Sequence, residues 1–260
     1  MIKAGFCLMA LLTAGTLHAE IQIQTVEYSA GEVKCKGIVA VDTAVEGKRP
    51  GVLVVPEWWG VNDYATSRAK MLASMGYVAF VADMYGEGKI TTDTKQAGEW
   101  ANEVRGNRPL MRARAGAALA QLKGQPETNP DQTAAIGYCF GGTTVLELAR
   151  DNAEVLGVAS FHGGLAPGNA PTAEKINPKV AVYHGAADKA VSDTELTTFM
   201  DEMDSAAADW YLVAYGHAVH TFTNAASGND PSTNSAYNEQ ADKRSWRDLK
   251  AFFSELFPQQ

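Results

Sequence analysis

The chain has 260 residues, 46% of them hydrophobic, and a formal charge of −8. That length and apolar content suffice to bury a full core within one α/β domain. The acidic balance, without any basic run, argues against a nucleic-acid partner and against an anionic membrane surface.

Residues 1–19 read as a secretory signal peptide. Lys3 is the one charge, an apolar stretch follows, and Leu17-His18-Ala19 offers a small residue at the cut. The apolar run is short for a membrane span. The expected mature chain, residues 20–260, is then a single domain with 21 basic and 30 acidic side chains. It is expected to be secreted: periplasmic in a Gram-negative bacterium, extracellular otherwise. Two of its side chains are cysteines, Cys35 in an alternating strand and Cys139 at a sharp turn, and they are not expected to pair.

In chain order, Ile21 to Tyr28 and Glu32 to Val41 alternate apolar and polar residues around Ser29-Ala30-Gly31, the pattern of an antiparallel hairpin. Gly51 to Val55 is a compact apolar run, as in a strand buried on both faces. Asn62 or Asp63 starts a helix reaching about Ser74, and Tyr77 to Val81 is the next strand. Thr91 to Lys123 is helical in pattern, interrupted at Pro109. Thr133 to Ile136, Val155 to Phe161, Lys179 to His184 and Asp209 to Tyr215 are further strands. Helices are expected over Ser192 to Ala207 and from about Asn234 to Phe257. Strands alternating with helices predict an α/β fold, with a mostly parallel central sheet covered on both faces.

Gly137-Tyr138-Cys139-Phe140-Gly141-Gly142 lies between one of these strands and a helical run. Glycines flanking a nucleophile permit a sharp strand-to-helix elbow that projects the central side chain. The helix N-terminus behind it favours negative charge on sulfur. A small buried cysteine under a glycine turn is the alternative. A thiol nucleophile needs a base, and the base an orienting carboxylate, and around such elbows they follow in the order nucleophile, acid, histidine at strand ends. Asp188 lies in the loop after Lys179–His184, and His217 and His220 follow Asp209–Tyr215. His220 is the better base, because Phe222 can anchor its loop. Asp193 and Asp209 read as a helix start and a strand entry. His162 and His184 fall in separate loops without zinc-like spacing, so no metal and no cofactor are expected. The backbone N–H groups of Phe140 and Trp58 are the candidate oxyanion donors.

Together with Pro56-Glu57-Trp58-Trp59-Gly60, Ala82-Asp83-Met84-Tyr85-Gly86 and His220-Thr221-Phe222, the elbow resembles the dienelactone hydrolase family of α/β-hydrolases, over roughly residues 25–257. The resemblance implies an α/β-hydrolase fold without a large cap domain and a Cys139–His220–Asp188 triad. It implies that Glu57 contacts and modulates the thiol, and that Trp59, Tyr85, Glu87 and Asn224 line the substrate pocket. It also marks two departures. Two arginines that hold the substrate carboxylate in the founding enzymes are matched here by Glu87 and Asn224. An anionic dienelactone is therefore not the expected substrate, unless Lys89, Arg105 or Arg108 reaches the pocket.

The expected function is hydrolysis of a small ester or lactone through an acyl-cysteine intermediate, by a monomer. A thiol redox or sensor protein using Cys139, and a non-catalytic binding protein on the same fold, are the alternatives.

Overall fold

The architecture is that of a computed structural model describing residues 20–258; the signal-peptide expectation, on residues 1–19, lies outside the described residues. The long hairpin strands β1 (Ile21–Ala30) and β2 (Val33–Asp42) pair antiparallel through ten residue pairs. They are followed by β3 (Arg49–Val55), α1 (Asp63–Ala73), β4 (Val78–Val81), α2 (Thr94–Arg105), α3 (Arg108–Lys123), β5 (Thr128–Tyr138) and α4 (Phe140–Arg150). Then come β6 (Gly157–Phe161), β7 (Lys179–Gly185), α5 (Asp193–Ser205), β8 (Trp210–Tyr215) and α6 (Glu239–Leu256). The strands form one eight-stranded sheet in the order β1-β2-β4-β3-β5-β6-β7-β8. From β4 to β8 every pairing is parallel.

The period of two along the central strands sends their side chains into two cores. Leu53, Val55, Val78, Phe80 and Ala135 face α2 to α5, while Val52, Val54, Ala79, Val81, Ala134 and Ile136 face α1 and α6. All are fully buried, and each large aliphatic or aromatic among them contributes roughly 1.5–3 kcal/mol by leaving water. The elbow strand thus enters the site from a sheet held on both sides.

Three boundaries differ from expectation, each for a local reason. The helical stretch breaks at Gly106-Asn107 and not at Pro109, which occupies the first turn of α3, where a proline costs no hydrogen bond. The elbow strand begins five residues earlier than expected, at Thr128, and a register shift opposite Pro50/Gly51 accommodates 130–132. The last helix starts at Glu239, because the Asn238 side chain caps it by accepting from the Ala241 N–H. Asn234, expected within that helix, instead follows a short 3-10 turn with φ 60°.

Candidate active site

At the end of β5, Cys139 takes φ 53°, ψ −113°. A side chain in so sparsely populated a region costs on the order of 1–3 kcal/mol and persists only where its surroundings enforce it. Here they do. A Cβ on Gly137 would run into the Gly141 carbonyl, and one on Gly141 into the backbone at the end of β3. The elbow is therefore seated directly on Val55-Pro56, where the Glu57-Trp58 loop begins. The Cys139 N–H is held by the Phe161 carbonyl at 3.0 Å and by His162 Nδ1 at 3.1 Å.

His220, in the loop after β8, places Nε2 3.0 Å from Cys139 Sγ and Nδ1 2.8 Å from Asp188 Oδ2. Asp188 is at the end of β7, with its side chain buried. Its other oxygen accepts from the Ala190 N–H and from Asn234 Nδ2. Phe222, fully buried against Tyr215 and His162, anchors the His220 loop. Burial opposes the imidazolium form of His220. The charge that Cys139 carries in its thiolate form and the hydrogen bond to Asp188 outweigh it and raise the pKa well above the usual imidazole range. Burial likewise acts to raise Asp188, but pairing with His220 and the loop donors holds it below the ordinary value. His217 is exposed and takes no part.

Glu57 is 2% exposed and accepts from Asn224 Nδ2 at 2.7 Å through Oε2, while its Oε1 is buried without a partner. Burial pushes its pKa up to about 7, against the Asn224 hydrogen bond and the positive charges of His220 and Arg68. No hydrogen bond joins Glu57 to Cys139. Among the described residues, the backbone N–H groups of Phe140 and Trp58 have no acceptor.

Trp58, Trp59, Cys139, His220 and Asn224 line a cavity of about 970 Å³. Tyr85 and Glu87, expected to line it, belong to a second, smaller cavity. The reason is the turn they sit in. The Asp83 carboxylate gathers the N–H groups of Tyr85, Gly86 and Gly88. This curls the loop so that the Glu87 N–H pairs with the Lys34 carbonyl and its side chain leaves the catalytic cavity. Tyr85 becomes a partition: its ring packs on Phe140 and Trp100, and its hydroxyl donates to the Trp58 carbonyl. Of the three cations considered, Arg105 lines the catalytic cavity, Lys89 the second one, and Arg108 is buried beside Glu147.

One residue of the site was not legible as such. His162, buried at the end of β6, joins the Cys139 N–H to Thr223, whose Oγ1 lies 2.7 Å from His162 Nε2 and 2.6 Å from the Tyr64 hydroxyl. With Nδ1 accepting, the proton sits on Nε2. Burial first, then the charge of His220, depresses its pKa well below the usual range. Below it, Arg68 donates to the Thr223 carbonyl and to Asp242, with its guanidinium over the Tyr64, Tyr138 and Trp246 rings. The signal available in sequence was only position: Phe161-His162 ends a strand at the same sheet edge as the triad. Among the described residues no three histidine, cysteine or carboxylate side chains are placed so that they could hold a metal ion.

An elbow thiol after β5, a carboxylate after β7 and a histidine after β8 of such a sheet define an α/β-hydrolase. The dienelactone hydrolase family model matches residues 35–257, and the chain belongs to that family. It is similar to the crystal structure of a dienelactone hydrolase-like promiscuous phosphotriesterase from metagenomic libraries, at 40% identity and a TM-score of 0.88, covering 92% of this chain and 99% of that one. A structure designated m3DLH is 38% identical, with a TM-score of 0.87, covering 91% and 99%. An uncharacterised Caenorhabditis elegans protein is 34% identical over 149 residues, 56% of this chain and 94% of that one. The protein is a hydrolase.

Proposed function

We propose that this hydrolase cleaves an uncharged carboxylic ester or lactone through a covalent acyl-cysteine. The observation that carries the reading is the Asp188–His220–Cys139 relay, at 2.8 and 3.0 Å, ending on a strained elbow thiol.

In the first half-reaction the Sγ proton passes to His220 Nε2 and sulfur attacks the substrate carbonyl carbon. The carbonyl π pair moves to oxygen, where the N–H groups of Phe140 and Trp58 receive it. Collapse breaks the carbon–oxygen ester bond, and the leaving alcohol oxygen takes the proton from Nε2. In the second half, a water gives a proton to Nε2 and its oxygen attacks the thioester. Collapse then expels the sulfur, which regains the proton, and releases the carboxylic acid. Asp188, hydrogen-bonded to Nδ1, fixes the tautomer that keeps Nε2 toward sulfur and stabilises the imidazolium. Glu57 modulates the site through charge: neutral below about pH 7 and negative above it, it favours His220 imidazolium when ionised.

The cavity supports the uncharged substrate class. Among the described residues only Asp63 and Arg105 bring formal charge to its lining, apart from His220. Arg105 is exposed on α2, its guanidinium 5.9 Å from the centre of the Phe140 ring. One solvated cation is a weak substitute for a bidentate arginine pair. The test is a panel of neutral and anionic lactones and aryl esters. Neutral substrates should lead in kcat/KM, and preference for an anionic dienelactone would contradict the reading. A neutral phosphotriester belongs in the panel because the similar metagenomic enzyme is a promiscuous phosphotriesterase.

The protein further reads as exported and cleaved after Ala19, and as a monomer. N-terminal sequencing of the mature form and light scattering test these.

A further inference from the structure

Outside the catalytic cavity the molecule holds a buried cation with no carboxylate to pair it among the described residues. Arg114 on α3 is 8% exposed, and its Nε and Nη1 are buried without a hydrogen-bond partner. The neighbouring arginines are provided for: Arg108, Arg112 and Arg150 all lie against the Glu147 carboxylate. Among the described residues no carboxylate reaches Arg114. Asp83, the buried acid of this region, has its oxygens committed to the N–H groups of Lys36, Tyr85, Gly86 and Gly88. The Cys35 thiol nearby stays protonated, since burial and the Asp83 charge push its pKa up against the effect of Arg114. An unpaired guanidinium largely removed from water is costly, and an anion at its cavity-facing edge recovers part of that cost.

The side chain opens into the second cavity, about 290 Å³, with Tyr85 and Trp100 as its aromatic wall and Lys89, Glu87 and Glu103 as its other charged residues. Nη1 lies beneath the Gly86 turn, 3.6 Å from where a Cβ on that residue would stand. We propose that this cavity is an oxyanion site, in which Arg114 and Lys89 hold a small carboxylate or phosphate-type anion. Glu87 and Glu103 oppose a doubly charged ligand, so a monocarboxylate binds more tightly than phosphate. The site stands apart from the reaction, with Tyr85 between the two cavities, and does not depend on the proposed substrate.

The experiment titrates the full chain with acetate, benzoate and inorganic phosphate, at constant ionic strength against chloride, and follows Tm and Trp fluorescence. The expected result is a saturable rise in Tm, about 3–5 °C at ten times Kd, with the carboxylates ahead of phosphate. Arg114→Met should abolish the rise, match or exceed the parent Tm without anion, and leave ester turnover unchanged. Should that variant not fold, Arg114→Lys serves, with weakened but saturable binding expected. Glu103→Gln should tighten binding at unchanged baseline Tm. Absence of saturable stabilisation in the parent, its persistence in Arg114→Met, undiminished affinity in Arg114→Lys, or a large fall in Tm in Glu103→Gln, which would mean that Glu103 itself closes on Arg114, overturns the proposal.

Discussion

Asn224, at the wall of the catalytic cavity, donates its side-chain amide to Glu57 Oε2 across 2.7 Å, both groups being buried. An arginine stands at the position of Asn224 in the founding enzymes that the sequence resembles. An amide there holds the acid without neutralising it, so desolvation dominates and the Glu57 pKa sits at about 7.

The first prediction follows from that value. A carboxyl raised from 4.5 to about 7 on folding gives stability that is fully present below pH 4.5 and lost as pH rises through 7. The total is roughly 3 kcal/mol. Glu57→Gln should remove that loss, so the parent falls behind the variant between pH 5 and 8 in urea denaturation. The variant should also lack a transition near pH 7 in kcat/KM. An unchanged difference across this window would contradict the assignment of a neutral buried acid.

His162 predicts the opposite sign. Its folded pKa is depressed below the ordinary 6.5, so its contribution is present above that pH and lost as pH falls below it. His162→Phe should lessen the acid destabilisation. Because the ring holds the Cys139 N–H, loss of this positioning contact should lower kcat roughly 10- to 100-fold with KM little changed. His162→Asn, which keeps an acceptor, should recover part of the rate. Steady-state kinetics on the pair checks this.

Asn234 clamps Asp188: its Nδ2 donates to Asp188 Oδ1 at 3.2 Å and its Oδ1 accepts from the Lys189 N–H at 2.8 Å. Asn234→Ala should cost about 1 kcal/mol of stability and lower kcat only a few-fold, since Ala190 still donates to the same oxygen. Denaturation midpoints and turnover measured together distinguish this from loss of the loop.

A fourth prediction concerns the packing behind α4. Glu147 is fully buried and pairs with Arg112 at 2.9 Å and Arg150 at 3.1 Å. Glu147→Ala takes the buried carboxylate from Arg108, Arg112 and Arg150, of which Arg112 keeps Asp151 and Arg150 keeps Glu202, and should destabilise by about 3–5 kcal/mol. A loss below 1 kcal/mol in chemical denaturation would show the cluster to be solvated.

The sheet, the two-faced core and the meeting of Asp188, His220 and Cys139 were all legible in the sequence, because each leaves a local mark. Val52 to Val55 is a continuous apolar run, Cys139 is bracketed by glycines, and Asp188 and His220 follow strands in the required order. What was not legible depends on contacts between distant segments. His162 is an ordinary strand-end residue until folding brings Thr223 and the Cys139 amide to its two nitrogens. Asn234 read as helix because the Asn238 cap looks no different from its neighbours in sequence. Tyr85 and Glu87 were assigned to the wrong cavity because the turn around the Asp83 carboxylate decides which side of the Tyr85 ring each residue faces.

In the proposed function Cys139 carries the acyl group. Intact-mass spectrometry of the protein quenched within its first turnovers on a p-nitrophenyl ester tests it most directly. The account predicts a transient adduct of one acyl mass that maps to the peptide containing Cys139, together with a burst of p-nitrophenol, both lost in Cys139→Ala. Undiminished turnover by Cys139→Ala, or an acyl group on any other residue, would contradict it.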